Sequence, residues 1–192
     1  TLCALFSLVS NTFAQIQNGD TITISSNNYY LAVNANNNGI TTVSMENANL
    51  TKAILWKVQI SNNQYSFTSV AASEAGRNAG LVRNNTSLAL AATGSAFQFG
   101  TNGLVNNIPN ETTGRLYFDA GSGSRRYYYI NYQSSNWGTG SWNLSRQNNT
   151  NYSSNTTLLT LEKWTKKEEK GGLTGAFSSP VMHFELAKTE DE

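Results

Sequence analysis

The chain has 192 residues, 13% of them charged, and a formal net charge of +1. Because there is no basic excess to neutralise phosphates, this composition argues against nucleic acid or an anionic membrane surface as a partner. The polarity comes instead from Asn, Ser, Thr and Gly, which favour turns and weaken helices. With 11% aromatic residues, the composition indicates a neutral β protein with many loops, long enough for one ordinary domain.

The first 14 residues, TLCALFSLVSNTFA, combine a short apolar run with small residues at Thr12 and Ala14. This pattern is typical of the apolar region and cleavage site of a signal peptide, although no initiator Met or basic region precedes it. The alternative is a buried N-terminal strand. Cys3 is the single cysteine, so a mature chain starting near Gln15 has no disulfide or cysteine-based metal site. We predict a signal peptide at 1–14, a secreted or cell-surface protein of a bacterial envelope, and no membrane span.

Downstream, short segments in which apolar and polar residues alternate recur at a spacing of roughly 8 to 12 residues, which is typical of a sandwich or a barrel. Asn18-Gly19, Asn38-Gly39 and Asn102-Gly103 are turn signals, and the second of them predicts a hairpin. No stretch carries a sustained helical stripe, so the predicted fold is all-β. The predicted strands are Thr21–Ser25, Ile40–Ser44, Leu55–Ile60, Gln64–Thr68, Ser87–Ala92, Phe97–Phe99, Arg115–Asp119, Tyr127–Gln133, Trp142–Ser145 and Leu158–Trp164.

These segments form a weak internal repeat of three units. The first runs from Thr21 to Ile60, the second from Gln64 to Phe99, and the third from about Leu104 to Trp164. We therefore predict a β-trefoil-like barrel of three roughly four-stranded units in residues 15–165. Trp56 and Trp164 close units in matching positions and are predicted to lie in the core. A two-sheet β-sandwich is the alternative.

The sequence YYLAVNANNNGITTVS (Tyr29–Ser44), followed by LWKV (Leu55–Val58), resembles the repeat unit of ricin-type and fascin-like trefoils. It is especially similar to trefoil-like modules in secreted proteins of Bacteroidota, whose signal peptides often end FAQ. The resemblance implies a trefoil fold from Gly19 to about Trp164. The Gln-x-Trp signature of ricin-type lectins is replaced here by Ile54-Leu55-Trp56, and their sugar-binding Asp has no assignable counterpart.

The sequence changes character after Trp164. The segment Lys166–Lys170 consists entirely of charged residues, in the order KKEEK, and is followed by Gly171-Gly172. This pattern is typical of a flexible linker. One further segment, Val181–Leu186, has the composition of a strand, and a single strand cannot form a domain alone. We predict that residues 166–192 are a charged linker and the start of a possible further domain.

Few residues could carry catalysis. His183 is the only histidine and lies beyond the predicted linker, so the main domain holds neither a Ser-His-Asp arrangement nor a zinc site. A pair of carboxylates is the remaining route, as in glycoside hydrolases, and no pair stands out. The carboxylates of the main domain are Asp20, Glu46, Glu74, Glu111, Asp119 and Glu162. We predict that the chain is not an enzyme and has no cofactor and no metal.

The most suggestive cluster is the segment Arg125–Trp142, which mixes aromatic residues with Asn, Gln and Arg. Sugar sites need an aromatic face for stacking and polar groups for the hydroxyls, and this segment supplies both. Strand alternation puts Tyr128 on one face and Tyr127 and Tyr129 on the other, so we expect one set in the core and the other exposed. The alternative is that all are packing and turn residues. The candidate ligand-binding residues are Trp137, Tyr129, Tyr132, Arg126, Asn136 and Trp142.

The leading hypothesis is a non-catalytic extracellular module that recognises carbohydrate or another cell-surface group. Its partner would be a glycan or an extracellular protein surface. A second hypothesis is a structural or protein-interaction spacer attached to a secreted enzyme, with a downstream domain of the same polypeptide as partner. The third is a glycoside hydrolase that uses two carboxylates.

Overall fold

The fold is all-β, as predicted, in a computed structural model that describes residues 16–47, 51–100, 113–120, 127–136, 138–147, 157–169 and 172–177. In these ranges there is one short helix, α1 (Val70–Glu74), and two 3-10 turns, Met45–Asn47 and Lys52–Ile54. The strands there are β1 Thr21–Ser26, β2 Tyr29–Val33, β3 Ile40–Ser44, β4 Trp56–Ser61, β5 Gln64–Ser69, β6 Gly80–Asn84, β7 Ser87–Ala91, β8 Gln98–Gly100, β9 Thr113–Asp119, β10 Tyr127–Ser135, β11 Gly138–Gln147, β12 Leu159–Glu169 and β13 Gly172–Phe177.

Asparagine forms the tight turns between strands. Asn27 and Asn28 have φ of 49° and 65°, and Asn62 and Asn63 have φ of 49° and 59°. Each pair is the two-residue loop of a hairpin, joining β1 to β2 and β4 to β5. Two residues with positive φ twist a hairpin in the same sense as its strands, and asparagine tolerates that conformation. The hairpin predicted at Asn38-Gly39 is also present, since β2 and β3 pair across the loop that contains these residues.

The strands pair antiparallel, and β1 to β12 fall into three groups of four, while β13 pairs with β12 alone. In the first group, β1 pairs with β2 and β4, and β2 with β3. In the second, β5 pairs with β6, and β6 with β7. The link from β5 towards β8 is a single bridge, in which Tyr65 and Phe97 exchange two backbone hydrogen bonds of 2.7 Å. In the third, β9 pairs with β10 and β12, and β10 with β11.

Successive groups are joined through their outer strands. β4 pairs with β5, β8 with β9, and β12 returns to pair with β1. The continuous path of ladders is open, because it begins at β11 and ends at β7, and β8 branches from it at β9. Between β5 and β8 there is a bridge in place of a ladder.

The main core gathers aliphatic and aromatic side chains from all three groups, and Trp56 is fully buried within it, as predicted. The Trp56 indole Nε1 donates a 2.9 Å hydrogen bond to the backbone oxygen of Leu31, which satisfies its only polar atom. Trp164 is half-buried and packs against a second, smaller cluster. That cluster consists of Tyr30, Ala32, Ile54 and Leu55. The prediction for Trp164 therefore holds only in part.

The structure corrects the start of the predicted linker. β12 continues through Glu169 and pairs with β13, from Trp164 opposite Phe177 to Glu169 opposite Gly172. Ladder hydrogen bonds join backbone groups and do not depend on apolar side chains, so a charged composition alone does not imply a loop. The predicted signal peptide at 1–14, His183 and the segment Val181–Leu186 lie outside the described residues.

Candidate functional site

The predicted aromatic cluster forms the hairpin of β10 and β11, in which Tyr132 lies opposite Trp142 and Asn131 opposite Asn143. Both faces of β10 are buried, so the expectation that one set of tyrosines is exposed is wrong. Tyr128 is 8% exposed and belongs to the main core, whereas Tyr129 on the opposite face is 1% exposed. The second face is covered because its tyrosines pack on one another and on β9.

Tyr129 belongs to a cluster with Tyr117 and Tyr127. The ring centroids of Tyr117 and Tyr129 are 5.0 Å apart, and those of Tyr117 and Tyr127 are 5.8 Å apart. The hydroxyls of Tyr117 and Tyr129 are buried and have no hydrogen-bond partner among the described residues. Burial, as the main cause, raises the pKa of Tyr129, while the nearby Arg115 acts in the opposite direction. In this arrangement Tyr129 contributes packing.

Tyr132 and Trp142 lie on the other face and hold β11 against the first group of strands. The Tyr132 ring stacks on Tyr29 with centroids 5.1 Å apart and lies 5.2 Å from the Trp142 ring. Trp142 Nε1 donates a 3.1 Å hydrogen bond to the backbone oxygen of Tyr30. Tyr132 and Trp142 are 5% and 8% exposed, so each offers only an edge to solvent.

A cleft of about 370 Å³ opens beside Trp142, between β3 and β11. We call it the hairpin cleft. Its two walls come from parts of the chain almost a hundred residues apart, and they are joined by a hydrogen bond in which Thr42 Oγ1 donates to the backbone oxygen of Gly140 at 3.0 Å. The lining residues are Ile40, Thr41, Thr42, Thr139, Gly140, Ser141 and Trp142.

Gly140 sets the shape of this cleft. Its backbone nitrogen donates a 3.0 Å hydrogen bond to the Tyr132 hydroxyl, so both polar backbone groups of Gly140 are fixed by side chains. A Cβ at this position would come within 2.2 Å of the Gln133 backbone oxygen and within 2.6 Å of the Tyr132 hydroxyl. Only glycine lets β11 approach this closely, and the side chains around it therefore position the cleft wall.

The chemistry of the hairpin cleft is neutral. Three threonine hydroxyls and one serine hydroxyl line it, together with the apolar side chains of Ile40 and Trp142. Among the lining residues there is no carboxylate, imidazole, thiol or cationic group. In the described ranges no three His, Cys, Asp or Glu side chains are grouped as a metal ion would need. The arrangement can offer hydrogen bonds and apolar contact, and it holds no group suited to proton transfer.

The described carboxylates lie elsewhere. Asp20 forms an ion pair with Lys163 at 2.9 Å, and Glu74 forms one with Lys52 at 2.6 Å. Both members of the second pair are more than half exposed, so it contributes little to stability. Asp119 is exposed at the end of β9.

The amide side chains of the predicted cluster bind one another. Asn131 Nδ2 donates to Asn143 Oδ1 at 3.1 Å, and Asn143 Nδ2 donates to Gln133 Oε1 at 3.0 Å. Thr157 completes the group, since its hydroxyl donates to Asn131 Oδ1 and accepts from the Tyr132 nitrogen. These amides satisfy each other on the outer face of the hairpin, and they stabilise its register.

Of the other predicted site residues, Asn136 is exposed in the turn after β10. Trp137 and Arg126 lie outside the described residues. The sequence did not indicate Thr41, Thr42, Thr139 and Ser141, because isolated hydroxyl residues in strands carry no motif. Only the Asn38-Gly39 hairpin signal and the glycines at Gly138 and Gly140 mark the two strands as unusual.

The fold and the cleft together define an all-β protein with an uncharged surface cleft between two hairpins. No family model matches the sequence, and no curated protein matches it. In the described part of the chain, no helix has the length and apolar character needed to cross a membrane.

Proposed function

We propose that the chain is a non-catalytic extracellular binding module with a β-trefoil architecture, and that it binds a neutral carbohydrate in the hairpin cleft. The observation that carries the proposal is the composition of the cleft, whose polar side chains are all hydroxyls and whose apolar contacts are Ile40 and Trp142. The extracellular location rests on the pattern of residues 1–14.

The pairing of the strands supports the trefoil architecture. In each group of four, the first strand pairs with the second and the second with the third, and each group is joined to the next through its outer strands. The first and fourth strands are linked in all three groups, in the second group by the bridge between Tyr65 and Phe97. The first and fourth strands of each group, which are β1, β4, β5, β8, β9 and β12, would then form a barrel of six outer strands. The second and third strands of each group would form three hairpins at one end of it.

The charge of the cleft favours a neutral ligand. An ion moved from water into a cleft without an opposite charge loses hydration that nothing replaces. A neutral sugar, in contrast, carries several hydroxyls that both donate and accept, as do the side chains of Thr41, Thr139 and Ser141. Its C–H faces can contact Ile40 and the exposed edge of Trp142.

The volume of the cleft restricts the ligand to a small group. At about 370 Å³, it lies near the lower end of the range of small-molecule sites, about 300 to 1,000 Å³. We therefore expect it to hold the end of a glycan chain and to leave the remainder in solvent.

A glycan array of neutral and acidic saccharides tests the proposal. We expect the full chain to bind neutral glycans, and the double variant Thr139→Val and Ser141→Ala to bind them at least about fivefold more weakly, since each lost hydrogen bond contributes about 1 kcal/mol. Valine keeps the shape of threonine, so the strand is preserved. The matched control is Thr68→Val, an exposed threonine of β5 outside the cleft.

Two outcomes would contradict the proposal. If the chain binds no neutral glycan, the spacer hypothesis is favoured. If the double variant binds as well as Thr68→Val, the chain binds carbohydrate at another surface, and a Trp137→Ala variant then tests the other aromatic candidate that the sequence indicated.

A further inference from the structure

Two Asn-Gly pairs lie in described turns, and the structure holds them differently. In the first pair, Asn18 Oδ1 accepts a 2.8 Å hydrogen bond from the Ile60 nitrogen, and the Gly19 nitrogen donates a 2.8 Å hydrogen bond to the Val58 oxygen. The side chain of Asn18 and the backbone nitrogen of Gly19 are therefore both bound to β4.

Among the described residues, the second pair, Asn38-Gly39, makes hydrogen bonds only within its own loop. The exposed Asn38 accepts a 2.9 Å hydrogen bond at Oδ1 from Asn34 Nδ2, and its backbone nitrogen donates to Asn34 Oδ1 at 3.1 Å. Gly39 takes part in this loop through its carbonyl oxygen, which accepts from the Asn34 nitrogen at 2.8 Å.

We propose that Asn38 is a site of self-catalysed deamidation, which Asn18 is not. The backbone nitrogen of Gly39 loses its proton to solvent and attacks Cγ of Asn38, forming a C–N bond. The side-chain amide leaves as ammonia, and the resulting succinimide is opened by water to aspartate or isoaspartate. No oxidant, cofactor or enzyme is required.

The surroundings of Asn38 favour the attack. The hydrogen bond from Asn34 Nδ2 reaches the oxygen on which negative charge develops when Cγ becomes tetrahedral, and a fixed donor at that position stabilises the charge. Gly39 has no Cβ to hinder the approach of its nitrogen. At Gly19 the nitrogen must first release its hydrogen bond to Val58, so the reactive fraction is set by local opening.

The modification changes the surface beside the hairpin cleft. It replaces a neutral amide by a carboxylate and lowers the formal net charge from +1 to 0. Asn38 is two residues before Ile40, which begins β3 and lines the cleft. The inference itself does not depend on the proposed function, because the reaction uses only Asn38, Gly39 and water.

Incubation of the full chain in mildly alkaline buffer made with ¹⁸O-labelled water, followed by peptide mass mapping, tests the inference. We expect label at residue 38 to accumulate at least about tenfold faster than at residue 18, because the hydrogen-bonded Gly19 reacts only from an open state. In concentrated urea the two sites should react at similar rates, since both are then plain Asn-Gly sequences.

The variant Gly39→Ala is the matched control. A Cβ there meets only the Asn34 side chain, with Nδ2 at 3.0 Å and Cγ at 3.8 Å, and Gly39 does not have a positive φ, so the turn accommodates alanine with a small shift of that side chain. We expect the reaction at Asn38 to slow severalfold in this variant. Equal labelling of residues 18 and 38 in the folded chain would overturn the inference, and so would a ratio that stays the same in urea.

Discussion

Two tyrosine hydroxyls in the third group of strands are buried. Tyr117 and Tyr129 lie opposite each other on β9 and β10, and in the part of the chain that the structure describes neither hydroxyl has a hydrogen-bond partner. A buried hydroxyl that makes no hydrogen bond loses its hydration without compensation. The two side chains therefore stabilise the fold through their rings, and their hydroxyls oppose it.

This imbalance predicts the effect of Tyr117→Phe. The free energy of unfolding at neutral pH should stay constant or rise by up to about 1 kcal/mol, because the ring is kept and the unpaired hydroxyl is removed. Urea denaturation measures it. Tyr132→Phe is the control and should lower stability by about 1 kcal/mol, since it removes the acceptor of the Gly140 nitrogen. A loss in Tyr117→Phe as large as in Tyr132→Phe would contradict the prediction.

The same variant should change the response to alkali. Burial, reinforced by Tyr129, Tyr127 and Asp119, raises the pKa of Tyr117 above its ordinary value of 10.0. Below pH 10 this hydroxyl is protonated in both the folded and the unfolded state, so its ionisation takes nothing from the free energy of unfolding. As the pH rises above 10 the unfolded state ionises first, and stability falls until the folded pKa is reached. Tyr117→Phe should make this alkaline loss of stability shallower.

At the level of single residues, the sequence predicted some core residues correctly but did not predict how many further residues are buried. Trp56 was expected in the core and is fully buried. The burial of Tyr129 could not be predicted, because alternation distinguishes the two faces of a strand without showing what covers each. The cleft has the same limitation, since Thr42 and Gly140 meet only after β3 and β11 are folded together.

Tight asparagine turns determine the hairpins at the scale of the element. The loop Asn62-Asn63 joins β4 to β5, and the residues that flank it, Ser61 and Gln64, are paired. Both asparagines have positive φ, which is unfavourable for residues with a Cβ other than asparagine and aspartate. The register of the ladder between β4 and β5, the longer of the two ladders that contain Trp56, therefore depends on two asparagine residues.

We expect Asn63→Ala to lower the free energy of unfolding by about 1 kcal/mol, because alanine is strained at positive φ. Asn63→Gly should leave stability unchanged or raise it, since Asn-Gly suits this turn best. Asn36→Ala, an exposed asparagine that does not have a positive φ, is the control and should have no effect. Thermal unfolding of the three variants measures this order, and equal losses in Asn63→Ala and Asn36→Ala would contradict it.

Elements with a strong local signal were predicted, and elements that depend on neighbours were not. Ile40–Ser44 forms β3 with the predicted bounds. The helix α1 was missed because five residues are too few to show a helical stripe, although Ser69 caps it through a hydrogen bond from the Ala72 nitrogen. The strand β6 was not predicted because it begins with Gly80, a residue that does not indicate a strand. A side chain at this position would clash with the backbone of Gly94.

At the scale of the whole molecule, the decisive link is the one between β5 and β8. Ladders join β1 to β4, β4 to β5, β8 to β9, β9 to β12 and β12 to β1. In contrast, β5 and β8 are linked by the bridge of Tyr65 and Phe97. If this bridge is as persistent as the ladders, the outer strands act as one cooperative ring. If it opens easily, the sheet behaves as an open one with a loosely held β8.

Hydrogen exchange distinguishes these two states. In a closed ring the amide hydrogens of Tyr65 and Phe97 exchange only through global unfolding, like those of Ile22 and Ile24 in β1. We expect their protection to match that of β1 within about tenfold, because Phe97 is fully buried and both amides donate 2.7 Å hydrogen bonds. The Asn37 amide, which donates within an exposed turn, is the control and should exchange much faster. Protection of Phe97 close to that of Asn37 would show that β8 is not held against β5, and this result would contradict the proposed trefoil architecture.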